Sequence, residues 1–352
     1  MDKRLKSQDI STIQYSDVYD YTISSDRRLF SATHEEVLRG DTADVYFIKA
    51  REILEAAGLL DTAVTAEVFA GRSGILAGTE EVKGLLKERE LEVWGVSEGT
   101  PVDRKEVVLR IKGPYGAFAH LETALLGILA SSSGWTTASR QCRQAAGESG
   151  FLVFGARHIH PAVAPVMERA AIVGGANGAS CVLGAALAGK APQGTVPHAL
   201  ILVFGDTLEA AMAYDRFMPE AEPRIVLVDT FQDEVVESLR LAAEMKGRLE
   251  AVRLDTPSER GGVTPALVNE VRTRLDMAGH NDVKVFVSGG LNPERIAALQ
   301  GAGAEAFGVG SYISGASPIG MTMDLKEIEG KPMAKRGRIP GVTRTEGLER
   351  LL

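Results

Sequence analysis

The chain has 352 residues, 45% hydrophobic and 24% charged, with a formal net charge of −8. This composition suits a soluble protein of two domains, and the acidic surplus argues against a nucleic-acid partner, though a few local arginines would still serve an anionic metabolite. The apolar stretches, such as Ile201–Phe204, are far too short to span a bilayer. Residues 1–12 are charged and polar with no apolar core, and the two cysteines, Cys142 and Cys181, have no C-x-x-C spacing. The expectation is therefore a cytoplasmic protein without leader, disulfide framework or structural zinc.

From Thr33 to Gly150 the chain reads as an α+β module. Val45, Ile48, Ile53 and Leu54 lie at helical spacing within Asp44–Ala57, and Gly58 stops that helix. Leu91–Val96 and Val107–Ile111 read as strands, separated by a turn at Glu98–Val102. A long helix begins over Leu121–Ala130 and resumes, after a break, over Thr136–Ala146. Residues 1–150 are assigned to this first domain.

From Phe151 the texture changes. Strands are expected at Phe151–Phe154, Ile225–Val228, Ala251–Leu254, Val283–Val287 and Ala306–Val309. Helices are expected at Pro161–Val173, Thr207–Phe217, Glu234–Lys246, Pro265–Ala278 and Pro293–Ala302. Such alternation over residues 151–320 implies a parallel sheet closed, or nearly closed, into a barrel; an open doubly wound sheet is the alternative. The barrel is preferred because chemistry-bearing residues stand at nearly every strand's carboxyl end rather than at one switch point. Residues 321–352, with Lys335, Arg336 and Arg338, are expected to return to the first domain.

The strand ends carry the chemistry. Phe154-Gly155-Ala156-Arg157-His158 sets an aromatic ring, a tight turn and a cation at one rim position, although a packed Phe and a solvated Arg would read the same way. Gly174–Ser180, which includes Asn177, is a glycine-rich connection that by itself means no more than a turn. His198 follows a glycine turn and a proline; a lone His is more often a capping or surface residue than a catalyst. Ile225–Val228 delivers Asp229, an acid suited to ribose hydroxyls. Arg253 and Asp255 are two apart, so in a strand both face the same way, as an ion pair or as part of a barrel mouth. Ser288-Gly289-Gly290 and Gly308-Val309-Gly310-Ser311 end consecutive strands, and glycine turns before helices offer backbone N–H groups to a phosphate. Together these features describe a pocket for a phosphorylated sugar and an anionic or aromatic co-substrate.

In this order, FGARHIHP, GGANG, GTVPH, VDTF, RLDTP, SGGL and FGVGS resemble the motifs of the nicotinate phosphoribosyltransferases, which group with the quinolinate and nicotinamide enzymes. The resemblance runs from about Ala43 to Arg338. It implies an N-terminal α/β sandwich, a C-terminal incomplete α/β barrel, and a homodimer with shared sites. It also implies nicotinate and phosphoribosyl pyrophosphate as substrates, with Phe154 stacking on the pyridine ring, Tyr46 of a second copy covering its other face, and Arg157 meeting the carboxylate or the nearby phosphate. Asp229, Arg253 and Asp255 would contact phosphoribosyl pyrophosphate, and Gly289, Gly290, Gly310 and Ser311 would take its 5′-phosphate beside Ser288. His198 matches a histidine that many members phosphorylate with ATP as co-substrate. Mg2+ would ride on the pyrophosphate rather than in a protein cage. Asn177 stands where the nicotinamide-using relatives carry Asp, which would favour the acid substrate.

Two other readings compete. Quinolinate phosphoribosyltransferase needs further cations for a second carboxylate, and its Thr-Arg-Lys-Thr run is missing from this chain. A non-catalytic sensor of a phosphorylated ligand would use the same barrel and the same strand ends.

Overall fold

Val64, Ala66, Val68 and Ala70 alternate with Thr65, Glu67 and Phe69, and this period-two pattern builds the central strand of the first unit, Ala63–Ala70. The computed structural model describes residues 11–352, and the polar start up to residue 10 lies outside them. The chain divides into two compact units: residues up to Gly134 together with Ser317–Leu352, and Trp135–Ala316.

In the first unit, six strands form one antiparallel sheet in the order Lys331–Pro332, Met321–Ile328, Ala63–Ala70, Val107–Pro114, Glu92–Gly95 and Glu349–Arg350. Val64, Ala66, Val68 and Ala70 pack with Val82 and Leu86 of the helix Thr79–Leu86, and with Leu125 and Leu129 of the helix Glu122–Ala146. Each buried Leu or Val contributes roughly 1.5–3 kcal/mol. Glu67, only 1% exposed, accepts from Arg110 at 2.7 and 2.9 Å and from the Thr343 amide at 3.1 Å. That anchor, with the pairing of Met321–Ile328 on Ala63–Ala70, lays the C-terminal segment across this sheet.

The expected break in the long helix is absent, since Glu122–Ala146 runs unbroken for 25 residues. Ser131-Ser132-Ser133-Gly134 permits close approach instead of interrupting it. The Ala77 amide donates to Ser133 Oγ at 3.1 Å, and a Cβ at Gly134 would stand 2.5 Å from the Ser317 carbonyl oxygen. The division between units falls inside this helix, whereas the sequence texture changes at Phe151.

The second unit is an incomplete α/β barrel. Its six parallel strands run in the order Gly178–Ala179, Gly150–Val153, Ala306–Val309, Lys284–Ser288, Leu249–Leu254 and Arg224–Leu227. Val153, Val226, Val252, Val285, Val287, Phe307 and Val309 are buried with Met167, Leu241, Val271 and Ile296 from the surrounding helices. Asp206, Asp233, Thr264 and Asn292 each accept a backbone N–H at the start of the next helix, fixing where four of these helices begin. The sequence did not reveal the helix His198–Phe204, whose apolar run has no helical period. No helix among the described residues is long and apolar enough to cross a membrane.

Candidate active site

The carboxyl ends of the parallel strands converge on one mouth in the second unit. Phe154 follows the strand Gly150–Val153, and its amide donates to the Val309 carbonyl at 2.7 Å. Its ring lies across the neighbouring strand at Gly308, where a Cβ would come within 2.6 Å of two ring carbons. It stacks on Phe286 with centroids 5.9 Å apart and planes 30° apart. Glycine at 308 is thus what lets an aromatic platform lie flat on the sheet.

Arg253 reaches this platform from the strand Leu249–Leu254, its guanidinium carbon 5.2 Å from the Phe154 centroid. Its Nε donates to Ser288 Oγ at 2.9 Å and its Nη1 to Thr195 Oγ1 at 2.6 Å. Nη2 stands 3.5 Å from Asp255 Oδ2, and Ser288 Oγ donates on to Asp255 Oδ1 at 2.8 Å. Burial pulls the Arg253 pKa down, Asp255 and Asp229 oppose that pull, and Arg157 adds to it. A guanidinium held in this way stays charged and is fixed in direction.

Asp229 ends the strand series on the other side of Arg253. Its side chain is 1% exposed, with Oδ1 3.1 Å from His198 Nε2 and Oδ2 without a hydrogen-bond partner among the described residues. Burial raises its pKa, and His198 works against that rise. His198 opens the helix His198–Phe204, which leaves its ring partly exposed.

Gly289 and Gly290 sit at φ +93° and +59°, in the left-handed region that glycine adopts without strain, and lead into the helix Pro293–Gly301. A Cβ at Gly289 would also press on Asp255 Oδ1 at 3.1 Å. Gly310 is needed for closeness: a Cβ there would meet His158 Cε1 at 2.7 Å and the Phe154 carbonyl oxygen at 2.9 Å. Ser311, exposed, begins the short helix Ser311–Ser314. Arg157, in the turn Ala156–His158, is exposed and has no ion pair among the described residues.

The structure therefore brings together Phe154, Arg157, His198, Asp229, Arg253, Asp255, Ser288, Gly289, Gly290, Gly310 and Ser311. It does not bring Asn177 there. Asn177 precedes the strand Gly178–Ala179, at the amino end of the sheet, where its Oδ1 accepts from the Phe151 amide at 2.9 Å and from Arg143 at 3.0 Å. Both bonds hold a strand start, so the substrate preference read from Asn177 has no footing at the mouth. Tyr46 belongs to the first unit, in the helix Val45–Ala56, exposed beside Phe47. Sequence reasoning missed Thr195, which fixes Arg253, and Glu168, a fully buried acid beneath the rim. The signal for Glu168 was its place on the otherwise apolar helix face that Ala164, Met167, Ala171 and Gly174 form. Among the described residues no three His, Cys, Asp or Glu side chains gather as a metal cage.

Chemically, the mouth offers an apolar ring platform, one buried and one free guanidinium, two carboxylates and two glycine turns. Known proteins resemble the chain over most of its length. The N-terminal domain model of quinolinate phosphoribosyl transferase matches residues 44–133, and its C-terminal domain model matches residues 136–324. A nicotinate-nucleotide pyrophosphorylase from Pyrococcus furiosus is 43% identical, with a TM-score of 0.85 over 90% of this chain and 82% of that one. A nicotinate phosphoribosyltransferase of Mycobacterium tuberculosis is 30% identical over 254 residues, 70% of this chain and 55% of the relative. The chain spans about half the length of the curated relatives it matches. Human nicotinic acid phosphoribosyltransferase, at 20% identity and a TM-score of 0.67 over 85% of this chain and 77% of that one, shares the fold.

Proposed function

The chain belongs to the quinolinate phosphoribosyl transferase family, and from that premise we propose that it joins nicotinate to the ribose carbon of phosphoribosyl pyrophosphate, releasing pyrophosphate. The observation that carries the choice of a monocarboxylate is Arg157, an exposed guanidinium that makes no ion pair among the described residues and stands three residues after Phe154. One such cation suits the one carboxylate of nicotinate. Relatives named nicotinate phosphoribosyltransferase support the same reading.

In this reading Phe154 carries the pyridine ring, and Asp229 and Asp255 accept from the ribose hydroxyls. The N–H groups around Gly289, Gly290, Gly310 and Ser311 hold the 5′-phosphate. Arg253, fixed by Ser288, Thr195 and Asp255, faces the charge that develops as pyrophosphate leaves, so catalysis is positioning and charge stabilisation. Mg2+ bound to the pyrophosphate, beside Asp229 and Asp255, would neutralise that leaving group. His198, oriented by Asp229, is the candidate for phosphorylation by ATP. A homodimer would bring Tyr46 of a second copy over the pyridine.

A second reading, the decarboxylating reaction on quinolinate, is favoured by the family description and by the pyrophosphorylase from Pyrococcus furiosus. The test supplies magnesium, phosphoribosyl pyrophosphate and either acid, with and without ATP, and measures mononucleotide, pyrophosphate and carbon dioxide. Mononucleotide from nicotinate without carbon dioxide is expected, with ATP hydrolysis in step that a His198→Ala variant loses. Product from quinolinate alone would transfer the chain to the second reading.

A further inference from the structure

Glu168 lies on the helix Ala164–Gly174 and is completely buried, yet among the described residues it has no cation partner. A carboxylate in that position is costly unless its lone pairs are filled. Four donors fill them. Oε1 accepts from the Gly155 amide, the Ala156 amide and Ser180 Oγ, each at 3.1 Å, and Oε2 accepts from the Cys181 amide at 2.6 Å. The first two belong to the turn that follows Phe154 and carries Arg157; the others belong to the turn after the strand Gly178–Ala179. The packing leaves little slack: a Cβ at Gly155 would stand 2.6 Å from Met167 Cε, and one at Gly184 would stand 3.1 Å from Glu168 Cβ.

We propose that Glu168 is a positioning residue that ties two rim turns of the barrel together and so presets Phe154 and Arg157 for the pyridine substrate. This rests on the pyridine reading given above. An apolar residue at this place would leave three backbone N–H groups and a hydroxyl without acceptors, and the turns would move to find water. Preset turns spare the substrate the cost of ordering them, so the effect belongs in the affinity for the pyridine acid and much less in that for phosphoribosyl pyrophosphate.

The test is Glu168→Gln, which keeps the shape but turns one acceptor into a donor facing N–H groups. Amide hydrogen exchange is followed at 155–157 and 180–182 and on the strands Lys284–Ser288 and Ala306–Val309, alongside KM for each substrate. Expected are faster exchange in the two turns only, a rise of about tenfold to a hundredfold in KM for nicotinate, and a KM for phosphoribosyl pyrophosphate within about threefold of wild type. Glu168→Asp, which restores the charge but not the reach, should recover part of the loss. Unchanged exchange in the turns, or equal losses for both substrates with a general loss of protection, would overturn the proposal. Should Glu168→Gln fail to fold, Ser180→Ala removes one donor and leaves the carboxylate buried. It should raise KM for nicotinate by a few-fold with a modest drop in Tm, and an unchanged KM would overturn the proposal. If the wild type uses neither pyridine acid, the reaction reading fails, and exchange in the turns still decides whether Glu168 ties them.

Discussion

At the scale of single residues, Gly308 and Gly310 at this mouth are required by what approaches them, whereas Gly289 and Gly290 are required by their own positive φ angles. Gly308 was legible in the sequence as part of a glycine turn, but its reason was not, because the ring above it comes from Phe154, far away in the chain. A Gly308→Ala variant places a carbon within 2.6 Å of that ring. The ring or the strand must shift, at a cost of about 1–3 kcal/mol. The expected outcome is a lower Tm and a raised KM for nicotinate with the KM for phosphoribosyl pyrophosphate little changed; steady-state kinetics and thermal melts check both. An unaltered KM for nicotinate would mean that Phe154 is not the platform. Arg253 and Asp255 were legible for the opposite reason, since two-residue spacing on a strand fixes a shared face whatever lies around them. Glu168 and Thr195 act through partners distant in sequence, and no local pattern announces that.

At the scale of elements, strands followed by capped helices could be read directly, because each strand is a short apolar run and several caps are Asp, Asn or Thr at the expected offset. The strand Gly178–Ala179 has only two residues and no apolar run, so its ends were not legible and Asn177 was assigned to the wrong end of the sheet. The first turn of the helix Glu122–Ala146 carries a further consequence. A carboxylate there should be favoured by the helix dipole, yet burial, and secondarily Asp324, push the Glu122 pKa up to about 7. In the unfolded chain it titrates near about 4.3. Between those values the folded protein keeps a proton that the unfolded chain gives up. This contribution to stability is therefore complete below about pH 4 and is lost as pH rises through about 7. His120 slopes the other way: burial, with Arg89 and Arg51, lowers its pKa to about 3, so its contribution is lost as pH falls below about 6.5. The two slopes offset each other in mildly acidic solution, and a difference curve separates them. Glu122→Gln should gain stability over wild type at pH 8 and little at pH 5 in urea titrations. Equal differences at both pH values would contradict the assignment.

At the scale of the whole molecule, the composition of the two halves foretold an α+β unit and a barrel unit, and the parallel order of the six barrel strands agrees with the strand–helix alternation. The return of residues 321–352 to the first domain was expected from the sequence and agrees with the division into units, but the form it takes, a strand of the sheet, was not legible. Met321–Ile328 reads as a charged tail because half its residues face away from the core, yet it pairs along the length of Ala63–Ala70. Likewise, Glu67 is a buried acid whose partners, Arg110 and Thr343, are separated from it by long stretches of chain. Long-range pairing of this kind is fixed by packing and hydrogen-bond completion, which a one-dimensional pattern does not carry.

In the proposed reaction the carboxyl ends of the barrel strands hold both the pyridine and the phosphoribosyl group. Diffraction from crystals grown with nicotinate mononucleotide tests it most directly. Expected are the pyridine ring on Phe154, its carboxylate at Arg157 and the 5′-phosphate against the backbone of Gly289, Gly290, Gly310 and Ser311. A nucleotide bound elsewhere, or bound here with the phosphate at Arg157 and the ring away from Phe154, would contradict it.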